Sequence, residues 1–484
     1  MVPSNSVSMP PKINVFTMFR LGLYQMGLGM MSLLTLGVLN RIMIDELKVL
    51  PLLAAGAIAT HQFVSPLRVW FGQLSDSKPW FGWHRTGYVW LGSILFTSIS
   101  FVALQVIWKL GASLQDVGWT TATYAWTALL AVVFGFYGLA LSLSSTPFAA
   151  MLVDISDEDN RSQLVGVVWS MLMVGIVAGA IISSGLLNQP ELCGADIVSG
   201  AAPVSNAPVD IAQLKATINP AFIKVPAIVL TLSFLATFGV ESKYSRFNQR
   251  TQAVMREDQI TLKDALKVLT ASRQTGIFFG FLLILTISIF MQDAVLEPFG
   301  GEVFGLCISE TTKLNVPFGM GTLFGIGGSG FLILPRLGKK TSTKWGCMGA
   351  IACFVAIILS GFTKNLDLLN AGLFGFGLSS GLITAGATSL MLDLTAAETA
   401  GTFIGAWGLA QAISRGLATV LGGGILNVSK MIFPSAAMAY STVFIAQGIG
   451  MVLAVLCLSQ VNIKEFKDNA QSAISAVLSN ELDG

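Results

Sequence analysis

The chain predicts an all-α polytopic membrane protein of twelve transmembrane helices, arranged as two six-helix, pseudo-symmetric halves. Three observations carry that expectation. The mean hydropathy is +0.72, with 53% hydrophobic and only 11% charged residues, against roughly 25% charged in a soluble domain. Apolar runs recur at the length, about 20 residues of helix, that crosses a hydrocarbon core. A short polar stretch also occurs twice, half the chain apart. Met151-Leu-Val-Asp154-Ile-Ser156 is followed by Gly166, and Met391-Leu-Asp393-Leu-Thr395 by Gly405, each glycine twelve residues beyond its aspartate.

In order, the spans fall near 14–39, 51–73, 88–108, 121–145, 164–187 and 222–240, then 274–294, 314–335, 345–362, 368–390, 403–425 and 437–459. The first is too long for a signal peptide and is followed by Asn40-Arg41 rather than a small-residue cleavage site, so it reads as a mature helix. The domain organisation is a first half over 1–240, a cytoplasmic linker over 241–273, a second half over 274–460 and a tail over 461–484. In the linker Leu262, Leu266 and Leu269 share one face, predicting a short amphipathic helix on the membrane surface. The 189–220 loop is polar, rich in Pro and Ala, and reads as an exterior spacer. Glycines concentrate within spans, as at Gly321, Gly325, Gly327, Gly328 and Gly330 of the eighth. In lipid such small residues let helices approach closely.

The distribution of charge says more than the net value of +2. Assigning loops alternately puts 17 Lys/Arg on one side and 8 on the other. The rich side is cytoplasmic by the positive-inside rule, which places both termini there. No basic strip has aromatic interleaving, so no nucleic-acid partner is expected. The five cysteines lack metal or redox spacing. Cys193 and Cys307, both in exterior loops, are close enough in topology to pair or to remain free. With no nucleophile–base pair, nucleotide loop or metal cluster in the sequence, no enzymatic activity is expected.

Two loops carry recognisable motifs. Gly72-Gln-Leu-Ser-Asp76, followed by Arg85, joins spans two and three. Asp76 there can cap a helix start and pair with a basic group, latching two helices. Asp154 with Arg161 follows the fourth span, and the second half keeps Asp393 but has Ala400 in place of the arginine. This pattern resembles the signature loops of the major facilitator superfamily. Three longer strings are more specific: Leu39-Asn-Arg-Ile-Met-Ile-Asp-Glu46, then Ser65-Pro-Leu-Arg68 through Gly82-Trp-His-Arg85, and Gln292-Asp293-Ala-Val-Leu-Glu297-Pro-Phe-Gly-Gly-Glu302. Together they resemble the PucC/LhaA family, the bacteriochlorophyll-delivery branch of that superfamily, over essentially all twelve spans. The chain departs from it at His84, where a second arginine often precedes Arg85, and in its longer 189–220 loop.

The resemblance implies a membrane assembly factor that binds chlorophyll or bacteriochlorophyll, with carotenoid left open. Its partners would be photosystem, reaction-centre or antenna subunits, met in a thylakoid or a photosynthetic cytoplasmic membrane amid lipid. No metal is implied beyond the pigment magnesium.

The residues themselves leave several roles open. A charge at the bilayer centre costs roughly 2.5–3.5 kcal/mol on insertion scales, so those present are expected to face the bundle interior. His61, Ser65 and Arg68, spaced four and three apart, share one face of the second span. A neutral imidazole suits a pigment magnesium, and it equally suits a proton relay or a packed, hydrogen-bonded histidine. Asp293 and Glu297 are four apart near the outer end of span seven, and Glu46 leaves span one at the corresponding level. Carboxylate oxygen is a hard ligand for magnesium; two adjacent carboxylates also suit proton coupling, and Glu297 before Pro298 can simply end the helix. Arg20 and Arg415 are candidate cavity charges, with snorkelling to the surface the alternative for Arg20. The rival function is a proton-coupled secondary transporter of a small solute, which would share the same bundle.

Overall fold

The long apolar runs become long helices in the computed structural model, which describes residues 13–80, 82–156, 158–187, 210–245, 273–394 and 400–461. The first half comprises α1 (Val15–Glu46), α2 (Pro51–Phe63), α3 (Arg68–Ser77), α4 (Thr86–Val117), α5 (Thr121–Ile155), α6 (Glu158–Leu186), α7 (Ile211–Thr237) and the short α8 (Val240–Tyr244). The second comprises α9 (Arg273–Phe290), α10 (Leu296–Phe304), α11 (Ile308–Lys313), α12 (Asn315–Gly328), α13 (Leu334–Leu337), α14 (Lys339–Thr363), α15 (Leu366–Leu394), α16 (Ala400–Ile432) and α17 (Ala436–Gln460). The linker helix over 260–269 and the tail lie outside the described residues.

Among the described residues ten helices are long and apolar enough to cross a membrane. The two predicted spans outside that set are the second and the eighth, and both are broken. After 13 residues of α2 the chain makes a tight 3₁₀ turn at Ser65–Leu67 before α3 begins. Pro66 lacks the N–H that a continuing helix would use, and its ring disfavours helical geometry in the residue before it. After 14 residues of α12 the helix widens into a π turn at Ser329–Ile333. The run Gly327-Gly328-Ser329-Gly330 weakens it there. The second helix of each half is therefore interrupted at a corresponding place.

Packing repeats between the halves. In the first, α4 packs on α5 and α7, α1 on α6 and α7, and α2 on α5. In the second, α14 packs on α15 and α17, α9 on α16 and α17, and α12 on α15. The halves join chiefly through α2 with α16 and α6 with α12, with smaller contacts of α6 with α11 and α1 with α10. One large apolar core is drawn almost wholly from residues 278–461. Two others come from the first half, around Phe96, Trp108 and Phe134 and around Tyr24 and Phe148.

Helix ends differ from the spans where local capping decides. The polar 189–220 loop was expected to run to 220, yet α7 starts at Ile211, because the Asp210 carboxylate accepts from the N–H of Ala212 at 2.8 Å and so caps the helix. Trp108 is buried and donates to Asn219 Oδ1 at 3.1 Å. Cys307 is disulfide-bonded, whereas Cys193 lies outside the described residues.

Glycines set the closest helix crossings. A Cβ on Gly321 would drive into the Phe374 carbonyl, and one on Gly377 into the Phe318 carbonyl, so α12 and α15 meet backbone to backbone. Gly377→Val should therefore lower stability by about 1–3 kcal/mol through overpacking. Gly135, with nothing within 4 Å of its added Cβ, should gain up to about 1 kcal/mol as Gly135→Ala. Thermal unfolding in detergent reads both, and equal shifts would contradict the packing account.

Candidate functional site

The two halves enclose a polar pocket of about 40 Å³. That volume admits a water or a single small polar group. α2 contributes His61 and Gln62 just before its break, and α1 contributes Asn40. The 3₁₀ turn at Met291–Ala294 contributes Asp293, and α16 contributes Arg415 and Thr419. Interrupted helices at matched positions are where binding sites form in bundles of this kind, because the break frees polar groups at the membrane midplane.

His61 is buried, and both ring nitrogens are engaged: Nδ1 lies 2.5 Å from the Ile58 carbonyl and Nε2 2.8 Å from Gln62 Nε2. Donation from Nδ1 to the carbonyl and acceptance from the Gln62 amide describes a neutral, hydrogen-bonded imidazole. Arg68 donates through Nε to Ser142 at a long 3.4 Å. Ser142 belongs to a polar seam inside the first half, where Tyr24 donates to Ser144 at 2.8 Å. Arg415 stacks on Phe290, its Cζ 4.0 Å from the ring centroid.

Asp293 and Glu297 do not share a face. The 3₁₀ turn and the irregular Val295 between them (φ −128, ψ −19) rotate one away from the other. Asp293 is exposed to the pocket, whereas Glu297 is buried beside Gly37, with Oε1 accepting from Asn315 Nδ2 at 2.8 Å. Glu46 lies 3.4 Å from the Arg41 guanidinium, which also pairs with Asp45 and donates to the Leu306 carbonyl at 3.2 Å. Asn40 donates to the Ala294 carbonyl at 2.6 Å. The bonds from Arg41 to Leu306 and from Asn40 to Ala294 cross between the halves and close the side of the bundle away from the chain ends, here called the far side. Arg41 was counted from the sequence as a loop cation, and nothing in composition distinguished it from one.

On the side of the chain ends, the terminal side, Arg85 donates through Nε to Asp154 at 2.9 Å and through Nη1 to Ser75 at 2.6 Å. Both members of that ion pair are buried. Glu241, not singled out from the sequence, accepts from the N–H groups of His84 (2.7 Å), Arg85 (3.1 Å) and Thr86 (2.7 Å). A carboxylate there satisfies the free donors of the α4 terminus and complements its dipole. Gly72 approaches Thr146 at ordinary contact distance. Asp76, Arg161 and Asp393 lie on α3, α6 and α15, with side chains outside the described residues. Arg20, expected as a cavity charge, instead donates to the carbonyls of Leu235 and Phe238. It caps the end of α7, because the last carbonyls of a helix attract a cation. Among the described residues no group of three or more His, Cys, Asp or Glu could hold a metal ion.

A family model described as PUCC protein matches residues 38–466. The chain belongs to that family. It is 28% identical over 449 residues to Protein PucC of Rhodobacter capsulatus, covering 90% of each chain. It is also 28% identical over 452 residues to the bacteriochlorophyll synthase 44.5 kDa chain of a strain of the same organism, covering 92% of this chain and 94% of that one. Among solved structures, the nucleoside transporter NupG superposes with a TM-score of 0.65 at 11% identity, covering 92% of this chain and 99% of that one. The fold of this PUCC family member is thus that of the major facilitator transporters, and the chain is an integral membrane protein.

The buried latch and the exposed pair at Lys48 make opposite predictions. Asp154→Ala should cost about 3–5 kcal/mol, since it strands Arg85 without its carboxylate. Lys48 bonds Asp45 at 3.2 Å but is 70% exposed, so Lys48→Met should change stability by less than about 1 kcal/mol. Denaturant titration of the purified protein distinguishes the two, and a mild Asp154→Ala would show the latch to be ornamental.

Proposed function

We propose that this PUCC family member is a membrane assembly factor that binds chlorophyll or bacteriochlorophyll and hands it to antenna, reaction-centre or photosystem subunits. The observation that carries the reading is the family match over 38–466, joined to relatives named for PucC and for bacteriochlorophyll synthesis. On this reading the chain works in a photosynthetic membrane, thylakoid or cytoplasmic, with both termini in the cytoplasm, and acts as a carrier rather than a catalyst.

Volume argues for where a macrocycle would sit. Ligand pockets commonly run to about 300–1,000 Å³; the central pocket, at about 40 Å³, is far smaller. His61 there, with both nitrogens engaged, has no lone pair to offer a magnesium as arranged, so no axial ligation is assigned to it. A second cavity, of about 380 Å³, is an open groove on the lipid-facing surface of α4 and α5, closed at one end by Phe71. Leu95, Val102 and Phe136 line it and are substantially exposed. Such a groove suits the hydrocarbon tail or apolar edge of a pigment, held by contact and released without breaking a strong bond.

The transporter alternative has an observation of its own, the polar pocket with Asp293 and Arg415 between halves of a transporter fold. Absorbance of the full-length protein, purified in mild detergent from chlorophyll-containing membranes, tests the two. Delivery predicts near-stoichiometric pigment that falls by at least about half in the Leu95→Trp, Val102→Trp double variant, which fills the groove. A colourless protein that moves a solute with protons in sealed vesicles would sink the delivery reading.

A further inference from the structure

The central pocket contains a cation that the protein leaves unsatisfied. A guanidinium carries five N–H donors, yet the Arg415 group donates no hydrogen bond among the described residues, and its Nε is buried without a partner. Its guanidinium lies over the face of Phe290. Arg68 makes one long bond, to Ser142. The charges of both arginines reach His61, and they reach each other. Asp293 is the acid whose field reaches Arg415, but no ion pair joins them. Asn40 adds an unpartnered Oδ1 to the same pocket. Arg415 and Asp293 therefore face a cavity sized for a single small polar group, and Arg68 lies outside its lining but near enough for its charge to act on Arg415 and His61.

We propose that this pocket binds the carboxylate of an organic monoanion, with Arg415 as its ligand and the nearby charge of Arg68, outside the lining, adding to the attraction. The planar fork of a guanidinium matches a carboxylate and makes charge-assisted bonds roughly twice as strong as neutral ones. Monoanions are favoured over phosphate dianions because Asp293 repels a second negative charge. About 40 Å³ accommodates the carboxylate itself, and the rest of the ligand extends past Asp293, the exposed member of the set. Asn40 Oδ1 accepts from a donor on the ligand or from a water bound with it. Two sources present this chemistry: a small free organic acid, and a tetrapyrrole whose propionate is unesterified. The inference does not depend on the pigment reading, since either source satisfies the pocket.

The test uses the full-length protein in detergent, with benzoate, benzamide, chlorophyllide and the methyl ester of chlorophyllide as probes. Benzoate should raise the unfolding temperature and benzamide should not. If the tetrapyrrole is the source, chlorophyllide should bind about tenfold or more tighter than its ester, as expected for hydrogen bonds to a charged group. Arg415→Gln should abolish the benzoate effect, Arg415→Lys should restore part of it, and Arg68→Gln should weaken it. The benzoate–benzamide contrast in the unaltered chain stands even if a variant fails to fold. Equal effects of benzoate and benzamide, together with equal binding of acid and ester, overturn the proposal while leaving pigment delivery intact. An Arg415-dependent benzoate effect without binding of either tetrapyrrole upholds the carboxylate site and counts against pigment delivery.

Discussion

A charged or polar group inside the membrane has to find its partner within the protein, and at Arg41 this chain meets that demand mainly by ion pairing. The guanidinium is 3% exposed at the far end of α1. It is held by Asp45 and Glu46 from its own helix and by the Leu306 carbonyl from the other half. A Cβ on Gly301 would collide with both Arg41 and Asp45, so α10 can approach only because that position is bare. Stranding a buried charge of this kind typically costs about 3–5 kcal/mol, which is comparable with much of a domain's net stability. The two halves are joined on this side because Arg41 leaves them little alternative.

The rest of the polar interior follows from the same rule applied in sequence. Asn40, one residue before Arg41, reaches the Ala294 carbonyl in the turn that carries Asp293. That turn needs its irregular geometry to direct Asp293 into the pocket and Glu297 toward Asn315. Two π turns in α1, at Leu33–Val38 and Ile42–Glu46, bring Gly37 against Glu297 and Arg41 against Asp45. At the opposite end, Arg85, Asp154 and Glu241 hold the first half together through buried bonds of its own. Among the described residues the far side is bonded across the halves, and the terminal-side bonds of Arg85 and Glu241 lie within the first half. A bundle arranged in that way gives its central pocket to one side of the membrane.

Much of the fold was legible because a bilayer imposes a length on every crossing, and apolar runs record that length directly. The duplicated Asp-aliphatic-Ser/Thr stretch gave away the two halves for a related reason, since both copies mark the same loop. The breaks in α2 and α12 were also written in the sequence, as Ser65-Pro66 and Gly327-Gly328-Ser329-Gly330, although the run of apolar residues hid them. The candidate site was less legible. His61, Asp293 and Arg415 stand out as intramembrane polar groups, and they do meet in one pocket. Arg41 and Glu241, at opposite ends of the bundle, looked like ordinary loop charges, because a count of charges cannot tell a residue facing water from one turned into a seam. The four-residue spacing of Asp293 and Glu297 misled for a similar reason: it assumes a regular helix across a stretch that is not one.

The account rests centrally on closure of the far side by the Arg41 seam. It is tested most directly by labelling Asp293→Cys with a membrane-impermeant maleimide in sealed vesicles of known orientation. Asp293 is exposed, while Ala294, Val295, Glu297, Asn40 and Arg41, which lie outward of it, are all buried. Labelling should therefore proceed from the terminal side and be negligible from the far side. Rapid labelling from the far side would contradict the closure, and with it the role assigned to Arg41.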